Sequence, residues 1–198
     1  MPDLLTESAL AYEQLVKTQY RFALGKKGKL YSFVLLFPVE GYHHLAGFQY
    51  ARSIAQLANK KSALSMVLSH TVTQQDIVNS GCFSSLEGRL EGICNLPRLI
   101  EQNRIVFRYR GHEKPGSRIR AEYLLTHCIS TQKKLHFFIN SKSPGFMVPV
   151  SLFDNPNGRY EINCPKVSTL SIEKNYMGNG WVSLYNTASF IGYSPSEQ

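Results

Sequence analysis

Ile105-Val106-Phe107-Arg108-Tyr109-Arg110 alternates in side-chain character, with Ile105, Phe107 and Tyr109 set against Val106, Arg108 and Arg110. That period of two is a strand signal, and it marks where the chain changes habit. Downstream, 118–128 places Ile119, Ala121, Tyr123 and Leu125 on one face and Arg118, Arg120 and Glu122 on the other. Segments 134–140, 146–153 and 167–174 extend the series to about five strands. Gly, Asn and Pro clusters at 111–116, 141–145 and 154–158 separate them. Upstream, helical spacing dominates. Tyr12, Leu15, Val16 and Phe22 predict a helix over 8–22, Gly25-Lys26-Lys27-Gly28 breaks it, and 29–37 reads as one strand. Further helices are predicted over 42–59, 62–69 and 73–80, the last opened by Thr73 with Asp76. Ser84 with Glu87 forms a capping-box pair for a helix that Pro97 either kinks or divides. Helices followed by consecutive strands predict an α+β fold, with N-terminal helices packed on a mostly antiparallel four- to five-stranded sheet. Residues 1–174 read as a single domain and 175–198 as an arm or tail that keeps Trp181, Phe190 and Ile191.

The chain has 198 residues, of which 43% are hydrophobic and 18% charged, which excludes a wholly disordered polymer. No apolar run reaches the length of a membrane span, and Met1-Pro2-Asp3-Leu4 opens no secretory leader. The expectation is a soluble cytoplasmic protein without a membrane partner. Cysteines 82, 94, 128 and 164 are too scattered for a zinc finger or ribbon, so free thiols are expected. The net charge is +8. Between 104 and 142, nine basic residues face only Glu113 and Glu122, so this stretch alone carries +7. Lys26, Lys27 and Lys29 form a smaller cluster. Concentrated cations attract polyanions, nucleic acid first among them, although a merely solubilising basic face has the same composition.

Motifs of other chemistries are missing. Gly25-Lys26-Lys27-Gly28-Lys29 lacks P-loop spacing, and there is no GxGxxG, GxSxG or HExxH. Carboxylates are sparse, which disfavours metal-dependent nucleases and glycosidases. The remaining chemistry for a basic chain is RNA cleavage by the RNA's own 2′-hydroxyl. It needs a base, an acid and cations for the charged phosphorane, but no metal or cofactor. His44 is the leading histidine, because Gly47 and Ala51 on the same helical face leave space beside its ring. Its alternative role is a helix-start histidine bonded to backbone.

Tyr42-His43-His44-Leu45-Ala46-Gly47-Phe48-Gln49-Tyr50, after the hydrophobic strand ending at Phe37, resembles the "F-x-HL-x-GL" signature of a phage-associated nuclease family in the Barnase–EndoU–colicin–RelE-like superfamily. Later segments agree in order. Leu86 to Leu90, with Arg89, resembles its "I-x-x-R-L" helix, and Arg120-Ala121-Glu122-Tyr123-Leu124 resembles its "A-D-Y-L" strand. Leu135 to Ile139 resembles "L-F-I", Pro149 to Phe153 resembles "P-x-S-F-F", and Leu170 to Lys174 resembles its closing strand. Glu122 and Leu152 depart mildly from the pattern, and residues beyond 175 match none of it.

The resemblance implies metal-independent RNA cleavage on a sheet face. It casts His44 as general base or acid and Ser151 as a phosphate or 2′-hydroxyl ligand. Arg89, Arg120 and Lys174 become the candidates to stabilise the phosphorane. Strand parity would group Ser151 with Met147, Pro149 and Phe153. Arg108, Arg110, Arg118, Lys133 and Lys134 are the candidate RNA-binding cations. The leading expectation is an endoribonuclease leaving a 2′,3′-cyclic phosphate, acting as a toxin in phage or intergenomic conflict. An acidic antitoxin or immunity protein would then be its partner. A non-catalytic RNA-binding module and a phage interaction protein docking an acidic partner are the alternatives.

Overall fold

The computed structural model describes residues 3–51, 53–114, 116–155 and 157–187. Eight strands lie in one sheet: β1 (Thr18–Lys26), β2 (Lys29–Leu35), β3 (Ile105–Arg108), β4 (Tyr123–Cys128), β5 (Lys134–Ser143), β6 (Phe146–Asp154), β7 (Lys166–Tyr176) and β8 (Trp181–Asn186). Their order is β1-β2-β6-β5-β4-β3-β7-β8, and β1 also pairs with β7. The first seven therefore close on themselves. Every pairing is antiparallel except β2 with β6, which is parallel and short, with only Val34 opposite Phe146 and Leu35 opposite Met147. The described α-helices are α1 (Leu4–Val16), α2 (Gly41–Ala46), α3 (Ala63–Leu68), α4 (Gln74–Asn79) and α5 (Phe83–Glu101). None is long and apolar enough to cross a membrane.

This closed, mixed, seven-stranded barrel corrects the expected open sheet of four or five antiparallel strands. The cause is local. Residues 18–22 belong to β1, with Thr18, Tyr20 and Phe22 buried and Gln19 exposed between the first two. Aromatic and β-branched residues at a spacing of two favour a strand, and pairing on both flanks outweighs the helical spacing that Phe22 shares with Leu15. With β1 extended, Phe22 sits opposite both Phe33 and Ile172, and the sheet closes.

The helical region also differs from expectation. Gly47 adopts φ +83° and ends α2 after six residues, so the predicted helix over 42–59 gives way to short 3-10 turns at Phe48–Tyr50 and Ala55–Ala58. The Thr73–Asp76 capping box forms. The Ser84–Glu87 box does not, because α5 starts two residues earlier than a Ser84 cap would place it, with Cys82 as its cap. Pro97 is accommodated inside α5, which runs unbroken to Glu101.

One large core joins α1, α5 and the barrel. Leu5, Tyr12 and Leu15 of α1 and Leu86, Leu90, Ile93 and Ile100 of α5 pack with Phe22, Phe33, Tyr123, Phe137 and Leu152. Phe33 stacks between Phe22 at 5.2 Å and Tyr123 at 5.5 Å. On the other face of β4 and β5, Leu124 and Phe138 form a second cluster with Tyr109 and Cys164. The four cysteines are free thiols.

Candidate active site

The short β2–β6 pairing creates the site. After Leu36 donates its N–H to the Met147 carbonyl at 2.9 Å, β2 departs, and β6 continues with that edge unpaired by a strand. Unpaired backbone groups need other partners. Two side chains supply them. The Arg89 guanidinium donates to the Leu152 carbonyl at 3.0 Å, and the His44 imidazole hydrogen-bonds the backbone of Val150. The two anchor points flank Ser151. α2 and α5 thus place a histidine and an arginine side by side along one strand edge.

The His44 ring is exposed, and its tendency to protonate is lowered. Partial desolvation against the protein is the main cause, and the positive charges of Arg89 and Lys60 add to it. The Val150 hydrogen bond opposes the shift without cancelling it. One ring nitrogen is held by backbone, which leaves the other free to exchange a proton. Arg89 is half-buried, and its guanidinium lies over the Tyr50 ring at 5.6 Å. Tyr50 is itself 61% exposed, so its ring offers a stacking surface beside Arg89.

Gly47 does not leave the open space expected beside His44. A Cβ there would meet Arg89 Cδ at 2.7 Å, so the arginine side chain already occupies that space. Ala51, expected to share the face, is buried instead. His43 points into the core against Phe48, with ring centroids 6.0 Å apart.

The other predicted residues divide by location. A register shift in β6, where Phe138 faces Ser151 but Ile139 faces Pro149, reverses the strand's parity at Val150. Ser151 therefore lies on the Phe138 side, not with Met147 and Pro149, and its hydroxyl has no protein partner among the described residues. Arg120 and Arg118 are exposed in the stretch before β4 and line an open groove of about 720 Å³ with His112 and Asn140. Lys174 stands apart. Its ammonium bonds Glu101 at 2.9 Å, and Tyr20 donates to the same carboxylate at 3.0 Å. Glu101 lies twelve residues along α5 from Arg89, about 18 Å by helical rise. Of the cations expected on RNA, Lys133 pairs with Glu91, Lys134 with Glu161, and Arg110 with Glu113 at 2.9 Å. Arg108 and Arg118 are exposed.

The structure thus brings together His44, Arg89 and the backbone around Ser151, and adds Tyr50 against Arg89, with the charge of Lys60 acting on His44. Tyr50 closes the quoted motif, but a helical reading of 42–59 gives no reason to place its ring on Arg89. Lys60 carries no sequence signal toward His44. Among the described residues, no three His, Cys, Asp or Glu side chains converge as a metal site.

In comparison with protein-family models, residues 4–176 match the family described as phage-Barnase-EndoU-ColicinE5/D-RelE like nuclease4. Comparisons with curated proteins and with solved structures found no match.

Proposed function

Since the chain belongs to the phage-Barnase-EndoU-ColicinE5/D-RelE like nuclease4 family, a phage-associated nuclease family, we propose that it is a metal-independent endoribonuclease with its site at the free edge of β6. The observation that carries this reading is the exposed His44 ring at the free edge of β6, next to the strand carbonyl that Arg89 holds and within reach of the positive charge of Lys60. An imidazole kept neutral near pH 7 can take the proton of a ribose 2′-hydroxyl. The oxygen then attacks the adjacent phosphorus and the bond to the 5′-oxygen breaks; that oxygen takes up a proton, from the imidazolium or through water, and leaves as a 5′-hydroxyl, and a 2′,3′-cyclic phosphate remains. Charge grows on the phosphorane as this happens, and Arg89 with Lys60 opposes it. Tyr50 stacks a neighbouring base. Ser151 bonds a phosphate oxygen from the outer side of the strand, with Arg120 farther along the path. DNA lacks the 2′-hydroxyl and is not cut.

The test is cleavage of RNA and matched DNA in excess chelator by the parent and by His44→Ala. RNA-only cleavage with cyclic phosphate ends, abolished in the variant, supports the reading. Equal cleavage by the variant removes His44 from it, and RNA binding without cleavage by the parent would favour a binding module. We propose further that the protein acts as a toxin held in check by an acidic partner, drawn by the +8 charge. Tagged protein recovered from its native host without an acidic companion counts against that role.

A further inference from the structure

Lys26, Lys27 and Lys29 cap the β1–β2 hairpin, where Lys27 at φ +48° and Gly28 at φ +74° make the tight turn. The turn leans over β7, whose Ser168 lies opposite Gly25. Between them is a groove of about 440 Å³ lined by the three lysines, Gly25, Leu30, Ser168 and Leu170, with no carboxylate in the lining. Lys166 is two residues from Ser168 on the same exposed face of β7, and there β3 sets Phe107 opposite Lys166 and Ile105 opposite Ser168. Lys166, Ile105 and Phe107 also line a second groove of about 760 Å³, together with Arg104. Ser168 of the first groove and Lys166 of the second are two residues apart on that face of β7. None of these lysines has an ion-pair partner among the described residues, whereas Lys133 and Lys134 do.

We propose that this outer face of β1, β7 and β3 is a second contact for RNA, separate from the cleavage site, in which the lysines follow the phosphates and Phe107 and Ile105 lie under a base. The proposal rests on the ribonuclease reading for its ligand. Point-charge ammonium groups around a groove with apolar and aromatic side chains beside it match a single strand, which offers phosphates and flat bases together. An acidic protein segment would satisfy the lysines but not the ring. β2 separates the hairpin tip from the β6 edge by about 20 Å, from its seven residues. At about 3.4 Å per nucleotide of stacked strand, roughly six nucleotides bridge that gap. A longer RNA reaches both places and a dinucleotide only one.

The experiment compares the parent with a Lys27→Gln, Lys29→Gln, Lys166→Gln variant. It reads binding of an RNA of about 20 nucleotides across a salt series, and turnover of a dinucleotide. The expected result is at least about a tenfold loss of affinity for the long RNA and a salt slope shallower by about 2, since each lost single-strand phosphate contact removes about 0.7. Dinucleotide turnover stays unchanged. An unchanged slope overturns the proposal, as does an equal loss of dinucleotide turnover. Displacement of the RNA by polyglutamate at equal charge and equal potency also overturns it, because the surface would then fit an acidic protein. His44→Ala in the parent separates the two claims: if cleavage persists there, the cleavage-site reading fails while the salt slope still decides this one.

Discussion

A Cβ built on Gly47 would lie 2.7 Å from Cδ of Arg89, so the residue that ends α2 also makes room for the guanidinium that reaches β6. One glycine therefore meets two demands, a left-handed φ of +83° and a close side-chain approach. Gly47→Ala should lose roughly 1–3 kcal/mol of stability from the strained φ and the displaced arginine. It should also lower RNA cleavage at least about tenfold by moving Arg89. Urea midpoints and cleavage rates measured together check both, and a stable, fully active variant would refute the coupling.

Arg89 is charged, bonded to the Leu152 carbonyl and stacked on Tyr50. Lysine keeps the charge but cannot hold the planar fork. Arg89→Lys should therefore recover part of the stability lost in Arg89→Ala while cleavage stays about 10²-fold down in both. Single-turnover rates beside melting curves separate the effects. Near-parental cleavage by the lysine variant would mean that charge alone suffices.

Lys174 sits with Glu101 and Tyr20, far along α5 from Arg89. Its removal should cost about 0.5–1 kcal/mol, as for a partly exposed pair, and leave the cleavage rate within about twofold. A large fall in rate at unchanged stability would restore it to the site.

The proposed role of His44 as a base requires its neutral form, and its proton affinity is lowered by burial, Arg89 and Lys60. The acid limb of the pH–rate profile should therefore fall below the ordinary histidine value of 6.5. Removing one positive neighbour, as in Lys60→Ala, should move that limb upward. A limb that does not move would show that Lys60 does not act on the titrating group.

His136 is fully buried and stacked against Phe153 at 6.3 Å; Nε2 makes no hydrogen bond among the described residues and lies 3.9 Å from the Glu161 carboxylate, and burial lowers its proton affinity against the opposing pull of that charge. The unfolded chain takes up this proton first as pH falls. The contribution of His136 to folding is thus intact above the unfolded value near 6.5 and is eroded as pH drops below it. His136→Phe should flatten the loss of stability between about pH 7 and pH 5, and urea midpoints at both ends test this. His43 and His44 shift in the same direction and should leave part of the slope in place.

Local chemistry determined much of this protein in advance. Alternation marked β3 and the segment that contains β4, β-rich runs between turn clusters marked β5 to β7, and Thr73 with Asp76 marked the start of α4, because these signals depend on neighbours in the chain. His44, Arg89 and the Pro149–Phe153 strand were legible from short motifs in the right order. Closure was not. It depends on β1 finding both β2 and β7, and residues 18–22 satisfy a helical spacing as well as a strand until those partners are present. The site's composition was likewise a tertiary result. Where β2 leaves β6 decides which carbonyls need side-chain donors, a register shift at Val150 decides which face Ser151 takes, and Gly47 decides that Arg89 can pass. Tyr50 meets Arg89 only because the chain after Gly47 abandons the helix. Pairing between distant segments set these features, and a pattern read along the chain does not contain it.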